Sequence, residues 1–508
     1  MMPSAWLGRI SPKPPTGPAR ARSGGEDGIA LIITLIALSM LSLLGFYMTL
    51  DATTEARISD NYESRIQANY AAQAGLNHAR EAIRGLPIET HLPGPDAVYV
   101  NTASYLTTAR ATAFRNPLTW ALARSMNIVN PAADIAILAD DGVMNTGKIG
   151  ASNGTPIIPL VGNVWSQVNP NGPGNSIIGR YFVKITDNNG EATELAADPS
   201  DNPFFDGDHI VIARSMGIAA TIREDSAAAV RRNSVVVYEA KYRQRTTFDL
   251  DAPFVVEGDD VNPSGPKMWD GNAFRIDGGA NNFGIATIDT NTGNGIFPTQ
   301  QISSQLAANQ ANRIVGMGAS PSISDITNLV QNDPDKVLLR NPAYLWNLVH
   351  NVIPSFADNK FFSDQHWTSN NGPDLGSIDI NKPYNDPSQN PKITFVDGDL
   401  DIGGNLVGGG LLVVTGTVNG NGALTFNGLI LVIGEGEVDG SGLNIGINGG
   451  MFVANLTLVN GVPTFGTPKF TWRGNSNIRI NSQTIQMGMD LMPPEQIGWR
   501  EITSIIDP

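Results

Sequence analysis

Residues 393–456 read ITFVDGDLDIGGNLVGGGLLVVTGTVNGNGALTFNGLILVIGEGEVDGSGLNIGINGGMFVANL. Apolar pairs recur there at Phe395-Val396, Val413-Val414, Leu431-Val432 and Phe452-Val453, at spacings of 18, 18 and 21 residues. Between them, glycine and asparagine gather at Gly403-Gly404-Asn405, Gly408-Gly409-Gly410, Asn419-Gly420-Asn421-Gly422, Gly434-Glu435-Gly436 and Asp439-Gly440-Ser441-Gly442. A period of about 20 residues with apolar strand centres and glycine turns signals stacked rungs. One rung cannot bury its own apolar side, whereas stacked rungs share a core and pair backbone to backbone. The leading expectation is a parallel β-helix, with a glycine-rich antiparallel sandwich as the alternative.

Composition agrees with a mostly β chain. Of 508 residues, 54 are Gly and 33 Pro, and only 16% are charged, which favours short strands and turns over a helical bundle. The length suits two to four domains. A formal net charge of −15 argues against nucleic acid or anionic lipid as the main partner and suits a soluble secreted surface. The absence of cysteine excludes disulfides, thiolate metal sites and cysteine nucleophiles.

Moving toward the N-terminus, residues 300–362 read as helical pieces. Gln301–Val315 is one; Ser322–Val330 is a second, with Ser322 as cap and Asp325 three later. Asn341–Val352 is a third, with Pro342 at its first helical position. Phe254–Gly258 and Asn272–Gly278 read as strand-turn units that open a different sheet. Further back, Gly179–Asp187, His209–Met216 and Ser234–Tyr242 predict an antiparallel meander with one face on a helix. Asn163–Gly174 reads as loop, and Thr102–Asn127 as a helix carrying Leu106, Phe114, Trp120 and Leu122.

That helix under the meander starts much earlier. Ile29–Leu50 is 22 residues without a charge, roughly 33 Å as a helix against a bilayer core of about 30 Å. Residues 1–28 before it carry Arg9, Lys13, Arg20, Arg22 and five prolines, which predicts a cytoplasmic N-terminus. Leu50 runs straight into Asp51-Ala52-Thr53-Thr54-Glu55, without an A-x-A cleavage site, so the apolar run is expected to stay. Apolar residues then fall at 58, 62, 66, 70, 76, 79, 83 and 86, one helical face. Arg80 and Arg84 suit the last turns, Gly85 a C-terminal cap, and Pro87 forbids continuation. The prediction is one helix of about 57 residues, with small residues at Ala68, Ala71, Ala72, Ala74 and Gly75 for close packing. A signal anchor followed by a separate surface helix is the alternative.

Gly28 before Ile29-Ala30-Leu31-Ile32 resembles a class III signal cut by a prepilin peptidase. Tyr70-Ala71-Ala72-Gln73-Ala74-Gly75-Leu76, with Ala79-Arg80 after it, is similar to the end of the N-terminal helix of PilX-like minor pilins. The glycine-rich repeats and the ending Trp499-Arg500-Glu501-Ile502 also resemble large PilX-like proteins. The resemblance implies cleavage between Gly28 and Ile29, methylation of the new N-terminus, and a helix packed on a small antiparallel sheet. It implies other minor pilins, the pilus assembly machinery, the prepilin peptidase and the inner membrane as partners. Two places depart from the pattern: Ile33 stands where major pilins carry a glutamate, and Glu26-Asp27 precede the cut where a basic residue is usual. Lacking the carboxylate that pairs with a neighbour's amine, the chain is expected at a filament tip or in initiation. A tip pseudopilin of type II secretion and a surface adhesin using the C-terminal β-region are the alternatives.

Catalytic signals are thin. Gly150-Ala151-Ser152-Asn153-Gly154 matches a nucleophile elbow by letter, but Pro156 and Pro159 follow it and no strong strand precedes it. His78, His91, His209, His350 and His366 have no zinc-helix spacing, and His78 is expected to be exposed. The turns Asp187–Glu191, Glu257–Asp260, Asp289–Gly293 and Asp397–Asp401 offer oxygen ligands for calcium, but none completes the twelve-residue loop. Polysaccharide lyases use parallel β-helices too, but residues 398–470 hold one basic residue, Lys469. The expectation is therefore a non-enzyme without cofactor. Its expected fold is α+β, mostly β: a leader (1–28), a membrane and amphipathic helix (29–86), a pilin-like head (87–250), a mixed segment (251–375) and a glycine-rich β-helix-like region (376–508).

Overall fold

A computed structural model describes residues 26–84, 161–167, 175–187, 209–223, 230–262, 267–271, 273–383, 386, 388–440, 442–473 and 475–502. The chain divides into two units, residues 1–63 and 64–508. The first holds the apolar part of helix α1 (Glu26–Ile83), a single helix of 58 residues. It is the continuous helix expected, starting three residues before Ile29. The expected helix at Thr102–Asn127 lies outside the described residues.

In the second unit, an all-antiparallel five-stranded sheet forms a head. It runs β1 (Val161–Gln167), β2 (Asn175–Asp187), β3 (Ile210–Arg223), β4 (Val230–Arg243), then the terminal strand Glu495–Glu501. The three expected strands are β2 to β4. Two more join them: β1 overlaps the stretch read as loop from Asn163, and the terminal strand comes from the other end of the chain. Alternate residues of β3 and β4 (Val211 and Ala213; Val236, Tyr238, Ala240 and Tyr242) pack on α1, as period-2 patterning requires. Arg243 of β4 is register partner of Glu495, so residues 244–494 are inserted between two neighbouring strands.

The insert contains two open sheets dominated by parallel pairing. In the larger, Phe395 pairs with Val413, Val413 with Leu431, and Leu431 with Phe452. The repeat read in the sequence is thus the strand register itself. Beyond Asn444–Val459 the parallel ladder continues through β5 (Phe254–Glu257), Ile285–Ile288 and Ile323–Asp325. The smaller sheet runs in parallel through Gln365–Trp367, Leu400–Ile402, Thr417–Gly420, Glu437–Gly440, Lys469–Arg473 and Trp269–Asp270. Several residues read as turns lie inside these strands: Gly408–Gly410 belong to Asn405–Val414, and Asp439-Gly440 to Glu437–Gly440.

Both faces of the larger ladder are buried, which is why its strands read as unbroken apolar runs. Leu412, Val414, Ile430, Val432, Met451 and Val453 share a core with Leu400, Ile402, Val418, Val438 and Phe470 of the smaller sheet. Leu411, Val413, Leu429, Leu431 and Phe452 face the other way, toward Val330, Leu345, Val349, Ile353, Ile485 and Met489 of a helical cover. Each such side chain contributes about 1.5–3 kcal/mol by leaving water. At one height of the ladder three successive strands carry glycine: Gly410, Gly428 and Gly449 are register partners with φ of 124°, 148° and 152°. A Cβ on Gly428 would run into the Gly410 carbonyl oxygen, and one on Gly449 into that of Gly428. The column is therefore glycine for steric reasons.

The cover differs from the expected helices in detail. Helix Pro298–Ser304 replaces the front of Gln301–Val315, whose end forms a 3₁₀ turn and the short strand Ile314–Val315. Ser322 caps nothing; Ile323–Asp325 extends as a strand, and Thr327–Asn332 is the helix. The Ser322 hydroxyl accepts from Gly284 N and donates to Met317 O, so tertiary partners take the side chain that local pattern assigned to a cap. At Pro342–Asn347 the reading holds: the Asn341 side chain accepts from Tyr344 N, and Pro342 opens the helix.

Candidate assembly helix and its seat on the head

From Ile29 to Leu50, the large apolar side chains of α1 are exposed, Ile33 among them. Three hydroxyls in this run bond back along the helix: Thr34 to Ala30 O and Leu31 O, Ser39 to Ile36 O, and Thr49 to Phe46 O. Such back-bonding to the helix's own carbonyls lets a hydroxyl sit in a hydrocarbon environment. The helix is long and apolar enough to cross a membrane and is compatible with a single-pass anchor. Gly28 and Ile29 lie in its first turn, and no break marks Leu50.

Past Ser64 the helix becomes a packing element. Its buried stripe is Ser64, Ala68, Ala71, Ala72, Leu76, Ala79 and Ile83. This corrects the apolar face read from the sequence: Ile58, Tyr62 and Tyr70 are exposed. The seat selects for size. Gly217 on β3 comes so close to α1 that a Cβ there would overlap Ala68 O and Ala72 N, and only small residues allow that approach. Polar contacts fix the register. Tyr242 donates to Leu76 O at 3.1 Å, Tyr238 to Asn69 Oδ1 at 3.0 Å, and Ser64 Oγ meets Ser234 Oγ at 3.0 Å. Burial pushes the Tyr242 phenol up to about 12. His78 is half-buried rather than exposed: Nδ1 lies 2.8 Å from the Tyr181 hydroxyl, and burial lowers its pKa.

Across β3, β4 and the terminal strand runs a charge row. Glu239 is buried; its carboxylate accepts from Arg214 Nε and is paired with Arg500 Nη2, both at 2.7 Å. The three residues are direct register partners. Trp499 packs on Tyr238 with ring centroids 4.8 Å apart, and Arg65 on α1 reaches Glu501 at 3.3 Å. The terminal strand therefore closes the head against both sheet and helix. Nothing but the ending at Trp499 pointed to it in the sequence.

The insert is clamped onto the same edge. Asp335, buried, takes Arg243 Nη2 at 3.1 Å, Arg245 Nη1 at 3.3 Å and the Thr246 hydroxyl at 3.2 Å. Gln244 donates to Asp490, and Arg80 and Arg84 flank the Phe356 ring. Of the residues weighed for chemistry, Gly150–Gly154 and His91 lie outside the described residues. His350 stacks on Trp346, while His366 pairs with Asp401 at 2.7 Å in the open. Among the described residues, no three His, Asp or Glu side chains converge in a metal-holding group.

No curated protein and no solved structure matches the chain. Residues 27–77, about a tenth of the chain, match the family described as PilX N-terminal. The match covers the apolar run and most of the small-residue seat just described, and it supports a type IV pilus-related pilin with a PilX-like N-terminal helix.

Proposed function

We propose that this chain is a large minor pilin that waits in the inner membrane with its N-terminus cytoplasmic and then initiates or tips a type IV pilus. The observation that carries this reading is the division of α1: an exposed apolar half followed by a small-residue seat under a five-stranded head, within the PilX-like stretch. The mechanism is packing. The apolar half exchanges lipid for neighbouring minor pilins' helices, a transfer between two apolar surroundings. Ile33 leaves no carboxylate for a neighbour's amine, and an insert of about 250 residues is bulky for a shaft, so the tip suits both features. We read the insert as a β-solenoid, supported by its parallel register offsets. Catalysis has no part in this reading.

Co-expression with a prepilin peptidase and N-terminal sequencing tests it. A mature chain beginning at Ile29 is expected; a chain left uncut by an active peptidase overturns the proposal. An adhesive role for the insert is a second reading, favoured by both of its ends leaving the head at one sheet edge.

A further inference from the structure

The last residue of β5, Glu257, is fully buried, and neither carboxylate oxygen has a hydrogen-bond partner. Its register partners are Ile288 and Ala454, and with Val255 two residues earlier they belong to the apolar cluster under the helical cover. By strand alternation, the Glu257 side chain leaves β5 on that same side. Arg340, at the end of the 3₁₀ turn Lys336–Arg340, reaches the carbonyl of Asp289, one residue past Glu257's register partner Ile288. Arg340 is itself incompletely used. Nη1 donates to Gln331 Oε1 at 3.1 Å and Nη2 to Asp289 O at 3.2 Å, but Nε is buried without a partner.

The charged groups on the surrounding elements are Asp259 and Asp260 after β5, Asp289 and Asp325 from the neighbouring strands, and Lys336 and Arg340 from the cover. Of these, Arg340 is the one that acts on Glu257 electrostatically. Asp325 is engaged by Thr327, and Lys336 by Asp251 at 3.0 Å. A carboxylate in this position would be a buried charge without a hydrogen-bond donor, so the carboxyl holds its proton well above the usual carboxylate range.

We propose that Glu257 and Arg340 form a proton-operated latch between the parallel ladder and its helical cover. While the carboxyl keeps its proton, Arg340 ties the cover to the Asp289 backbone and, within the cover, to Gln331. When the proton leaves to solvent, the carboxylate draws the guanidinium toward itself through the free Nε. Those two tethers are then strained or lost, and residues 326–340 loosen. The sign follows from linkage. The native state holds this proton more tightly than the unfolded chain, so its contribution is complete at low pH and declines as pH rises between the unfolded and folded values.

The test is amide hydrogen exchange of the full chain in detergent micelles, read on residues 326–340 as protection factors between pH 5 and 9. Wild-type protection is expected to fall by about tenfold per pH unit while the native carboxyl keeps its proton and the opened one has lost it, and to level off once Glu257 ionises in the native state. Glu257→Gln keeps the shape without the titration, and its protection should stay flat. Arg340→Met, lacking the cation that receives the carboxylate, should keep losing protection up to a higher pH than wild type, because the carboxyl then holds its proton still more tightly. It also decides the matter if Glu257→Gln does not fold. Parallel curves for wild type and a variant across the whole range overturn the latch.

Discussion

Gly428→Ala tests the ladder most directly. Gly428 lies in the middle of the glycine column, at φ 148°, with Gly410 on one side and Gly449 on the other. An alanine there incurs two costs. Holding a non-glycine residue at that φ costs about 1–3 kcal/mol. Its Cβ also meets the Gly410 carbonyl oxygen well inside contact distance, and backbone cannot swing aside as a side-chain tip can. Moving a rung to relieve the overlap costs about 1–3 kcal/mol more. The total is about 4 kcal/mol, and at about 2–4 °C per kcal/mol for a unit of this size it lowers the melting temperature by about 8–16 °C. The matched control is Gly446→Ala, in the same ladder, where a Cβ would sit 3.8 Å from Leu424 O in ordinary contact. It should stay within about 0.5 kcal/mol of wild type. The assay is thermal melting followed by circular dichroism on the solubilised full chain. If Gly428→Ala and Gly446→Ala melt together, the steric account of the column is wrong.

Other substitutions probe the head. Gly217→Val should lift α1 from its seat, because the new side chain collides with Ala68 O and Ala72 N; exchange protection of residues 64–83 should drop by more than tenfold while the insert stays protected. Glu239→Gln removes the charge that holds the largely buried Arg214, at a cost of about 3–5 kcal/mol in urea denaturation; Arg214→Met with Glu239→Leu should recover most of it. His78 has its pKa lowered by burial, so its contribution is present above the unfolded value of about 6.5 and lost as pH falls through the folded value. The urea midpoint of the head should therefore decline on acidification below neutrality, and His78→Gln should flatten that decline. Excising residues 246–492 with a two-residue turn should leave a folded head, since Arg243 and Glu495 are already neighbours; loss of the head's cooperative urea transition would contradict that.

What could be read ahead of the structure depended on how local its cause was. The Phe395, Val413, Leu431 and Phe452 spacing became register because each rung repeats the same requirement: an apolar run buried on both faces. The smaller sheet escaped notice because its strands are two to five residues long, as in Thr417–Gly420, where Val418 alone is buried. Glycines within such strands look like turns until the neighbouring rung is known. The seat of α1 was misread for a different reason. Hydrophobicity singled out Ile58, Tyr62 and Tyr70, whereas the contact demanded small size, and the demand comes from Gly217, more than 140 residues away. Ser322 failed as a cap for the same kind of reason: its partners, Gly284 and Met317, belong to the tertiary fold.

The terminal strand changes how the chain divides. A reading in sequence order puts the head first and the glycine-rich region last, which makes the C-terminus look dispensable to the head. The register puts Glu495–Glu501 beside β4, with Arg500 on Glu239 and Trp499 on Tyr238. A truncation anywhere between Arg243 and Glu495 therefore strips the head of its fifth strand and leaves the buried Glu239 with one cation fewer. The same pairing makes both ends of the insert leave from one edge, where Asp335, Gln244 with Asp490, and Phe356 between Arg80 and Arg84 hold it. A pull on the insert is thus received at this edge by β4, by the terminal strand and, through Arg80 and Arg84, by the end of α1. A load on the insert therefore reaches the last turns of α1 through this clamp.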